Sequence, residues 1–479
     1  MHNIPEITPE ALTLLPAKKA YEENVLPLKV EKGEFHVGLS GSGNQKVINE
    51  IAFYTGYRII PHEVPQEVIL AKLKEVYPAS AAEERRGASE QKSDPSMDVA
   101  SLEGSNVEFV NQVIQGAVKS GSSDIHLEVY ENLFRVRYRI DGHLREMFNL
   151  PKERSQAVIS RLKIMANLDI SEKRRPQDGR IRFPYQDKTI DIRLSTLPTN
   201  FGEKVVLRIL DKSQVQLDLR KLGLSESQHS ILSRNLRLPY GMILVTGPTG
   251  SGKTTTLYAS LKEIHSVEKN ILTAEDPIEY NLEGINQSSM RPDIGYDFAS
   301  ALRTFLRQDP DIIMVGEIRD KETAEIAVRA SLTGHLVLST LHTNDSVSAI
   351  TRLIDMGIEP FLVSSSIKLI IAQRLVRTLC SCRKESQKKS LHDILKTETV
   401  YEKQGCEKCS FTGYKGRSAI YEILEIDEDI AEMISLNMRE KEIRQKALEK
   451  GFITLRDSGL EKIKMGLTTY EEVLRETML

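Results

Sequence analysis

The chain has 479 residues, a formal net charge of −3, 40% hydrophobic and 28% charged residues, the profile of a globular protein too long for one core, with about three domains expected. Its slightly acidic balance excludes a generally basic nucleic-acid surface. No run of 18 apolar residues offers a bilayer span, and only four cysteines exclude a disulfide scaffold, which fits a reducing cytoplasm.

Residues 1–78 read as a small N-terminal α/β domain. Its first ten residues carry acids and prolines and no apolar signal core. Short strands are expected at 25–30 and 35–39, and a helix at 46–54 with Val47, Ile48, Ile51 and Phe53 apolar. A strand at 58–60 and a helix at 65–76 follow, with Val68, Ile69, Leu73 and Val76 on one face. No catalytic constellation accompanies them, so the unit reads as an adaptor. Residues 79–105 are small and charged and read as a flexible linker.

A second domain is expected over 106–215. Residues 107–118 have helical spacing, and strands are predicted at 134–140, 144–150, 181–185 and 190–197, with a helix at 156–165. Asp141-Gly142 makes a hairpin turn between the first two strands. Arg174, Arg175 and Arg180 crowd a polar stretch beside Asp178-Gly179, which also reads as a turn. Arg193 and Arg208 fall on strand-like segments. Taken alone, each arginine reads as a solvated or structural residue.

The third domain, 216–378, carries the strongest signal. The apolar run 242–245 leads into Gly247-Pro248-Thr249-Gly250-Ser251-Gly252-Lys253-Thr254 and then Thr255, where a helix begins. Strand, glycine loop and helix in that order form a P-loop: the glycines let main-chain N–H groups point at a triphosphate, and the helix N-terminus adds positive charge. Lys253 is expected to reach the β- and γ-phosphates of ATP, and the Thr254 hydroxyl to hold Mg²⁺.

Three later strands end in polar residues, where open α/β sheets place their chemistry. The strand at 271–274 delivers Glu275, Asp276 and Glu279. Ile312-Ile313-Met314-Val315 forms a Walker B strand whose usual following acid is replaced by Gly316, with Glu317 next. Glu317 is placed to orient the attacking water or to hold Mg²⁺ through one. Residues 334–344 make the third strand; Ser339, Thr340 and His342 are positioned to sense the γ-phosphate, and His335 opens it.

Cys380-Ser381-Cys382 and Cys406-Glu407-Lys408-Cys409, separated by 23 polar, loop-like residues, form two close pairs, the pattern of a structural Zn²⁺ site at 379–412. Residues 413–479 read as a helical C-terminal region: a strand at 420–424, then helices at 427–436, 440–450, 455–465 and 469–476, the last capped by Thr468 or Thr469.

Together these stretches resemble the secretion ATPases of the GspE/PulE family, which drive type II secretion and, in sister branches, type IV pilus extension. The family's aspartate box, Walker B glutamate and histidine box correspond to Glu275-Asp276-Pro277-Ile278-Glu279, to Gly316-Glu317-Ile318-Arg319-Asp320, and to Gly334-His335 through His342-Thr343-Asn344. Upstream, Arg174 through Arg180, Asp191-Ile192-Arg193-Leu194-Ser195-Thr196 and Gly202-Glu203-Lys204 through Arg208 match its second domain. The likeness covers nearly the whole chain.

The resemblance implies a PAS-like α+β second domain, a RecA-like P-loop NTPase core and a homohexamer with ATP between domains. Glu317 would be the main catalytic carboxylate, with Glu275 and Glu279 helping to place water and Mg²⁺. Arg180, Arg193 and Arg208 would approach the phosphates as arginine fingers across a domain or subunit interface, and His342 would couple phosphate sensing to domain movement. The family carries a four-cysteine zinc element built from two C-x-x-C pairs; here the first pair is C-x-C. The N-terminal domain would dock on the cytoplasmic part of an inner-membrane platform protein, leaving the motor cytoplasmic and peripheral to the membrane. Type II secretion leads and pilus extension is the alternative. A nucleic-acid motor is disfavoured by the charge balance, and a non-hydrolysing scaffold by Lys253, Thr254 and Glu317 together.

Overall fold

The computed structural model describes residues 7–15, 20–21, 24–31, 34–40, 47–48, 51–52, 55, 57–76, 105–210, 217–386, 395, 397 and 399–478. The chain divides into two compact units, Met1–Ser93 and Asp94–Leu479. The linker expected at 79–105 lies outside the described residues except for Ser105.

The first unit holds α1 (Pro9–Leu14), β1 (Leu26–Glu31), β2 (Glu34–Leu39), β3 (Arg58–Glu63) and α2 (Gln66–Val76). Strands β1 and β2 pair antiparallel, and β2 and β3 parallel. Leu26, Leu28, Phe35, Val37, Ile69 and Leu73 are buried between sheet and helices. Residues 47–48 and 51–52 of the expected helix at 46–54 are helical, and its other residues lie outside the described set. Helix α1 is an addition: Pro9 opens it and the Thr8 hydroxyl accepts from the Ala11 N–H.

The second unit begins at α3 (Asn106–Lys119), where Ser105 and Glu108 cap each other reciprocally. Then come β4 (Asp124–Val129), β5 (Phe134–Ile140), β6 (His143–Leu150), α4 (Ser155–Met165), β7 (Gln177–Tyr185), β8 (Lys188–Thr199) and β9 (Gly202–Leu210). These strands make one antiparallel sheet in the order β6-β5-β4-β9-β8-β7, packed with α3 and α4 around Phe109, Val113, Tyr138, Phe148, Leu162 and Leu207. The result is an α+β layer pair of the kind expected here. Asp178-Gly179 is not a turn: both residues lie inside β7, and the β7–β8 hairpin turns at Gln186, whose φ is 53°. The glycine answers a packing need, because a Cβ on Gly179 would stand 2.9 Å from the Ala166 Cβ and carbonyl oxygen at the end of α4.

The core follows as α5 (Glu226–Leu236), β10 (Gly241–Thr246), α6 (Lys253–Ile264), β11 (Ile271–Glu275), β12 (Asn286–Ser289), α7 (Phe298–Phe305), β13 (Ile312–Val315), α8 (Lys321–Leu332), β14 (Leu336–Leu341), α9 (Val347–Asp355), α10 (Pro360–Ser366) and β15 (Ile367–Leu379). After β16 (Lys384–Glu385) and β17 (Tyr401–Glu402), a short antiparallel pair inside the stretch read as loop, comes β18 (Tyr414–Glu425). Helices α11 (Glu428–Ser435), α12 (Glu440–Glu449), α13 (Leu455–Lys464) and α14 (Tyr470–Thr477) close the chain.

One seven-stranded sheet, β12-β11-β13-β14-β10-β15-β18, organises this part and is parallel except for the β15–β18 pair. Every residue of β10, β13 and β14 is buried, as expected of strands covered on both faces. Strand β18 is longer than its apolar centre suggested. It pairs with β15 from Leu369 opposite Glu425 to Leu379 opposite Tyr414, so a segment assigned by composition to the C-terminal region is the edge of the core sheet.

Candidate functional site

Strand β10 carries the chain into the glycine loop at the carboxyl edge of the parallel sheet, and α6 leaves from it. Gly247, Gly250 and Gly252 have φ of 147°, 82° and 89°, values that L side chains rarely adopt. A Cβ on Gly247 would lie 2.5 Å from the Gln373 carbonyl oxygen, and one on Gly252 2.8 Å from Gln373 Nε2. Strand β15 therefore backs the loop, and Thr256 Oγ1 fastens it by donating to Gln373 Oε1 at 2.7 Å.

The Lys253 ammonium is buried and donates to the carbonyls of Gly247 (2.8 Å) and Pro248 (3.2 Å). Burial pulls its pKa down to about 8, with Glu317 opposing and nearby Arg374 adding to the fall. Ser251 Oγ is buried and has no partner among the described residues, while the Thr254 side chain is exposed at the loop mouth. A buried cation whose hydrogen-bond partners among the described residues are two carbonyls, a hydroxyl with no partner among them and three left-handed glycines fit an anionic phosphate chain with its Mg²⁺. Beside Gly252 and Thr255 a cleft of about 490 Å³ is walled by Leu222, Leu375, Arg417 and Tyr421.

Glu317 stands just past β13. Its Oε1 accepts from Arg319 at 2.6 Å and its Oε2 lies 3.4 Å from His342 Nε2. Burial pushes the Glu317 pKa up, but the Arg319 hydrogen bond and charge, with His342 and Lys253, hold it below the ordinary value. Gly316 stands where the usual acid would be; its N–H donates to Ala274 O at 2.8 Å, and a Cβ there would crowd that oxygen at 3.2 Å. The segment after β14 is tied down: Thr343 shares a 2.7 Å hydroxyl contact with Thr246, and Arg374 donates to Asn344 O at 2.7 Å.

Ser339 and Thr340, read as phosphate sensors, are buried and donate instead to Val315 O (2.8 Å) and Gly316 O (2.7 Å), which locks β14 to β13. His335 sits at the opposite end of β14 from His342, with Nδ1 3.0 Å from Ala330 O. Glu275 is buried with both oxygens taken up: one by Tyr258 Oη, the other by Thr273 Oγ1 (2.6 Å) and Gln287 Nε2 (2.9 Å). Glu279 is half-buried and faces Arg193 at 3.6 Å.

The three arginines form one row. In register across β7, β8 and β9, Arg180 stands opposite Arg193 and Arg193 opposite Arg208. Like charges placed directly across strands repel, so the row needs counter-charge. Asp124, opposite Arg208 on β4, accepts from it at 3.0 Å, and Arg193 faces Glu279 and donates to Ile278 O at 2.9 Å. Arg180 is exposed and has no carboxylate partner among the described residues. All three line a cleft of about 400 Å³ together with Asp178 and Pro277, where the second domain meets the loop after β11.

Cys380, Cys382, Cys406 and Cys409 converge with their Sγ atoms within 4.8 Å of one another. The separations of Cys380 from Cys406 (3.8 Å), Cys382 from Cys409 (3.9 Å) and Cys406 from Cys409 (3.8 Å) fit the sulfur spacing of about 3.8 Å around a tetrahedral ion with Zn–S bonds of about 2.3 Å. Main-chain N–H groups of Cys406 and Gly413 point at Cys409 Sγ (3.1 and 3.2 Å), and that of Gly405 at Cys382 Sγ (3.4 Å), the support a thiolate needs. The set is compatible with zinc despite the short C-x-C pair.

Sequence reasoning missed Tyr258, Gln287, Gln373 and Arg374. Gln373 and Arg374 lie on β15, whose apolar pattern signals only burial, and Gln287 lies on β12, a short polar strand with no apolar pattern at all. Tyr258 reads as one more apolar position of α6.

The family described as type II/IV secretion system protein matches residues 100–475, and the MshEN domain matches residues 4–83. The type IV pilus assembly ATPase PilB of Myxococcus xanthus (strain DK1622) is 46% identical over 495 residues, spanning 98% of this chain and 87% of its own. The type II secretion system ATPase E of Vibrio cholerae serotype O1 is 50% identical over 378 residues, spanning 78% of this chain and 75% of its own. Among solved structures, that of the pilus retraction motor PilT with bound ADP superposes with a TM-score of 0.52 at 27% identity, covering 77% of this chain and 97% of that one.

Proposed function

The chain belongs to the family of type II/IV secretion system proteins, ATPases of secretion or pilus assembly, and from that premise we propose a hexameric motor whose ATP turnover drives subunits through an inner-membrane platform. The observation that carries the reading is the meeting of three elements at one edge of the sheet: the P-loop lysine, the Glu317–His342 pair, and a row of arginines reaching the loop after β11.

In this reading Gly247 through Thr255 cradle the phosphates of ATP, and Lys253 supplies the charge. Thr254 would hold Mg²⁺, with Glu279 helping to place it and water, and the ion would draw charge off the phosphates. Glu317, kept ionised by Arg319 and His342, accepts a hydrogen bond from the water that attacks the γ-phosphorus as the bond to ADP breaks. Arg180, Arg193 and Arg208 neutralise the charge that spreads over the transferring group, and His342 links that event to domain movement. Glu275 contributes through the loop it anchors. Cys380, Cys382, Cys406 and Cys409 would hold a structural Zn²⁺ remote from the phosphates.

The N-terminal unit would dock on the cytoplasmic part of the platform protein, placing the motor peripherally at the inner membrane, without a nucleic-acid partner. No helix among the described residues is long and apolar enough to cross a membrane. Of the two arms, pilus assembly gains support from coverage: the pilus relative matches 98% of the chain and the type II relative 78%. Introducing the chain into a strain lacking its pilus-assembly ATPase, and into one lacking its type II ATPase, tests this. Restored surface pili support the first arm, and restored secretion alone supports the second.

A further inference from the structure

Tyr258 lies on α6, whose first residues Lys253 and Thr254 belong to the P-loop. Its side chain is fully buried. Burial, and then Glu275, pushes the phenol pKa up, so the hydroxyl stays protonated and donates to the Glu275 carboxylate. The same oxygen receives the Glu279 N–H and Gln287 Nε2, each at 3.4 Å.

Gln287 completes the arrangement. Its Nε2 donates to Glu275 Oε1 and to Tyr280 O, both at 2.9 Å, and its Oε1 accepts the Leu282 N–H at 2.6 Å. The Tyr280 ring meets Tyr258 edge-on, with centroids 6.0 Å apart. The loop after β11 is thus pinned at residues 279, 280 and 282 by groups buried beneath it. That loop is where the second domain makes contact: Arg193 donates to Ile278 O and faces Glu279.

We propose that Tyr258 is a positioning residue that links the P-loop helix to the loop receiving Arg193, so that phosphate occupancy of the loop and the approach of the arginine row are coupled. The inference rests on the nucleotide site proposed above. An apolar side chain would fill the same space; the hydroxyl matters because it satisfies a buried carboxylate and a loop N–H at once, holding two elements in one register. A helix that shifts by a fraction of an ångström as phosphate enters would carry this loop, and with it the carbonyl that Arg193 reads.

The test compares the full-length wild type with Tyr258→Phe, Arg193→Gln and the double variant, measuring kcat, KM and ATP affinity. Tyr258→Phe is expected to lower kcat about fivefold with ATP affinity little changed, and to lower the melting temperature because it takes a donor from the buried Glu275 carboxylate. Arg193→Gln should then cost less when combined with Tyr258→Phe than in wild type, a non-additivity that a purely structural role would not produce. Penalties that simply multiply, or an unchanged kcat in Tyr258→Phe, overturn the coupling.

Hydrogen exchange of residues 276–285 provides a second readout that does not need turnover. ATP should slow it in wild type and leave it unaltered in Tyr258→Phe, whereas equal slowing in both refutes the link. Should Tyr258→Phe fail to fold, Gln287→Leu releases the same loop and is expected to give the same two results; wild-type behaviour in it would refute the proposal. Absence of ATP turnover in the wild type would instead count against the functional reading.

Discussion

Glu317 Oε2 lies 3.4 Å from His342 Nε2 while its other oxygen accepts from Arg319 at 2.6 Å. The carboxylate is therefore held between a guanidinium and an imidazole that follow β13 and β14, which fixes its orientation.

Replacing Glu317 by Gln should reduce steady-state ATP turnover at least about tenfold, since water activation is worth roughly 10²–10⁴, while ATP binding persists. Because the folded-state pKa lies below the ordinary 4.5, the carboxylate stays ionised as pH falls to that value. The acid limb of a kcat profile due to Glu317 should accordingly appear below pH 4.5. A glutamine variant with wild-type turnover would move the role to another carboxylate.

Burial pulls the Lys253 pKa down to about 8. Phosphate favours its charged form, so ATP binding should take up a proton at pH 8–9 and weaken as pH rises through that range. Calorimetry in two buffers of different ionisation enthalpy would detect the uptake as a buffer-dependent heat. Identical heats in both buffers would show that the lysine stays charged throughout.

The arginine row predicts complementation between subunits. Arg180→Ala and Glu317→Gln should each be nearly inactive, arginine fingers contributing on the order of 10³. If Arg180 serves a neighbouring chain, mixing the two variants creates some interfaces with both groups intact. Turnover of the mixture should exceed the sum of the two alone, and a strictly additive mixture would place Arg180 in its own chain's site.

Glu128 supplies a stability test in the second domain. Burial pushes its pKa up, yet hydrogen bonds from Arg137 (both 2.8 Å) and the Lys204 charge hold it at about 2, against 4.5 when free. A depressed carboxylate stabilises the fold fully above pH 4.5, and that contribution disappears as pH falls toward 2. Glu128→Gln should cost roughly 3 kcal/mol at pH 7 and progressively less below pH 4.5, as read by urea denaturation.

Metal analysis of the purified chain should find one zinc per protomer. Cys382→Ser or prolonged chelation should lower the melting temperature by roughly 5 °C or more while leaving ATP affinity near its starting value. A metal-free protein of unchanged stability would make the cysteines an ordinary reduced cluster.

The P-loop is legible because its glycines, lysine and flanking elements are contiguous in sequence, and the strands at 134–140 and 312–315 because their apolar patterns are local. What stays hidden is tertiary. Asp178-Gly179 carries turn chemistry, but the approach of Ala166 from α4 decides its conformation. The expected strands omit β4, although Asp124 to Val129 alternates polar and apolar positions as a half-buried strand does; its polar residues face the arginines and Lys204 of neighbouring strands. Glu275 looks like an active-site acid by position, and only the fold reveals Tyr258 and Gln287 waiting beneath it.

The antiparallel pairing of β15 with β18 also governs how the polypeptide can be cut. Ending the chain between the cysteine element and Tyr414 would look harmless by composition. It would instead lay bare one side of a thirteen-residue strand in which nine positions are buried, and an exposed apolar edge of that length recruits strands from other molecules. A shortened chain should precipitate on expression, whereas a nick confined to the segment between Cys382 and Cys406 leaves the ladder whole and should be tolerated.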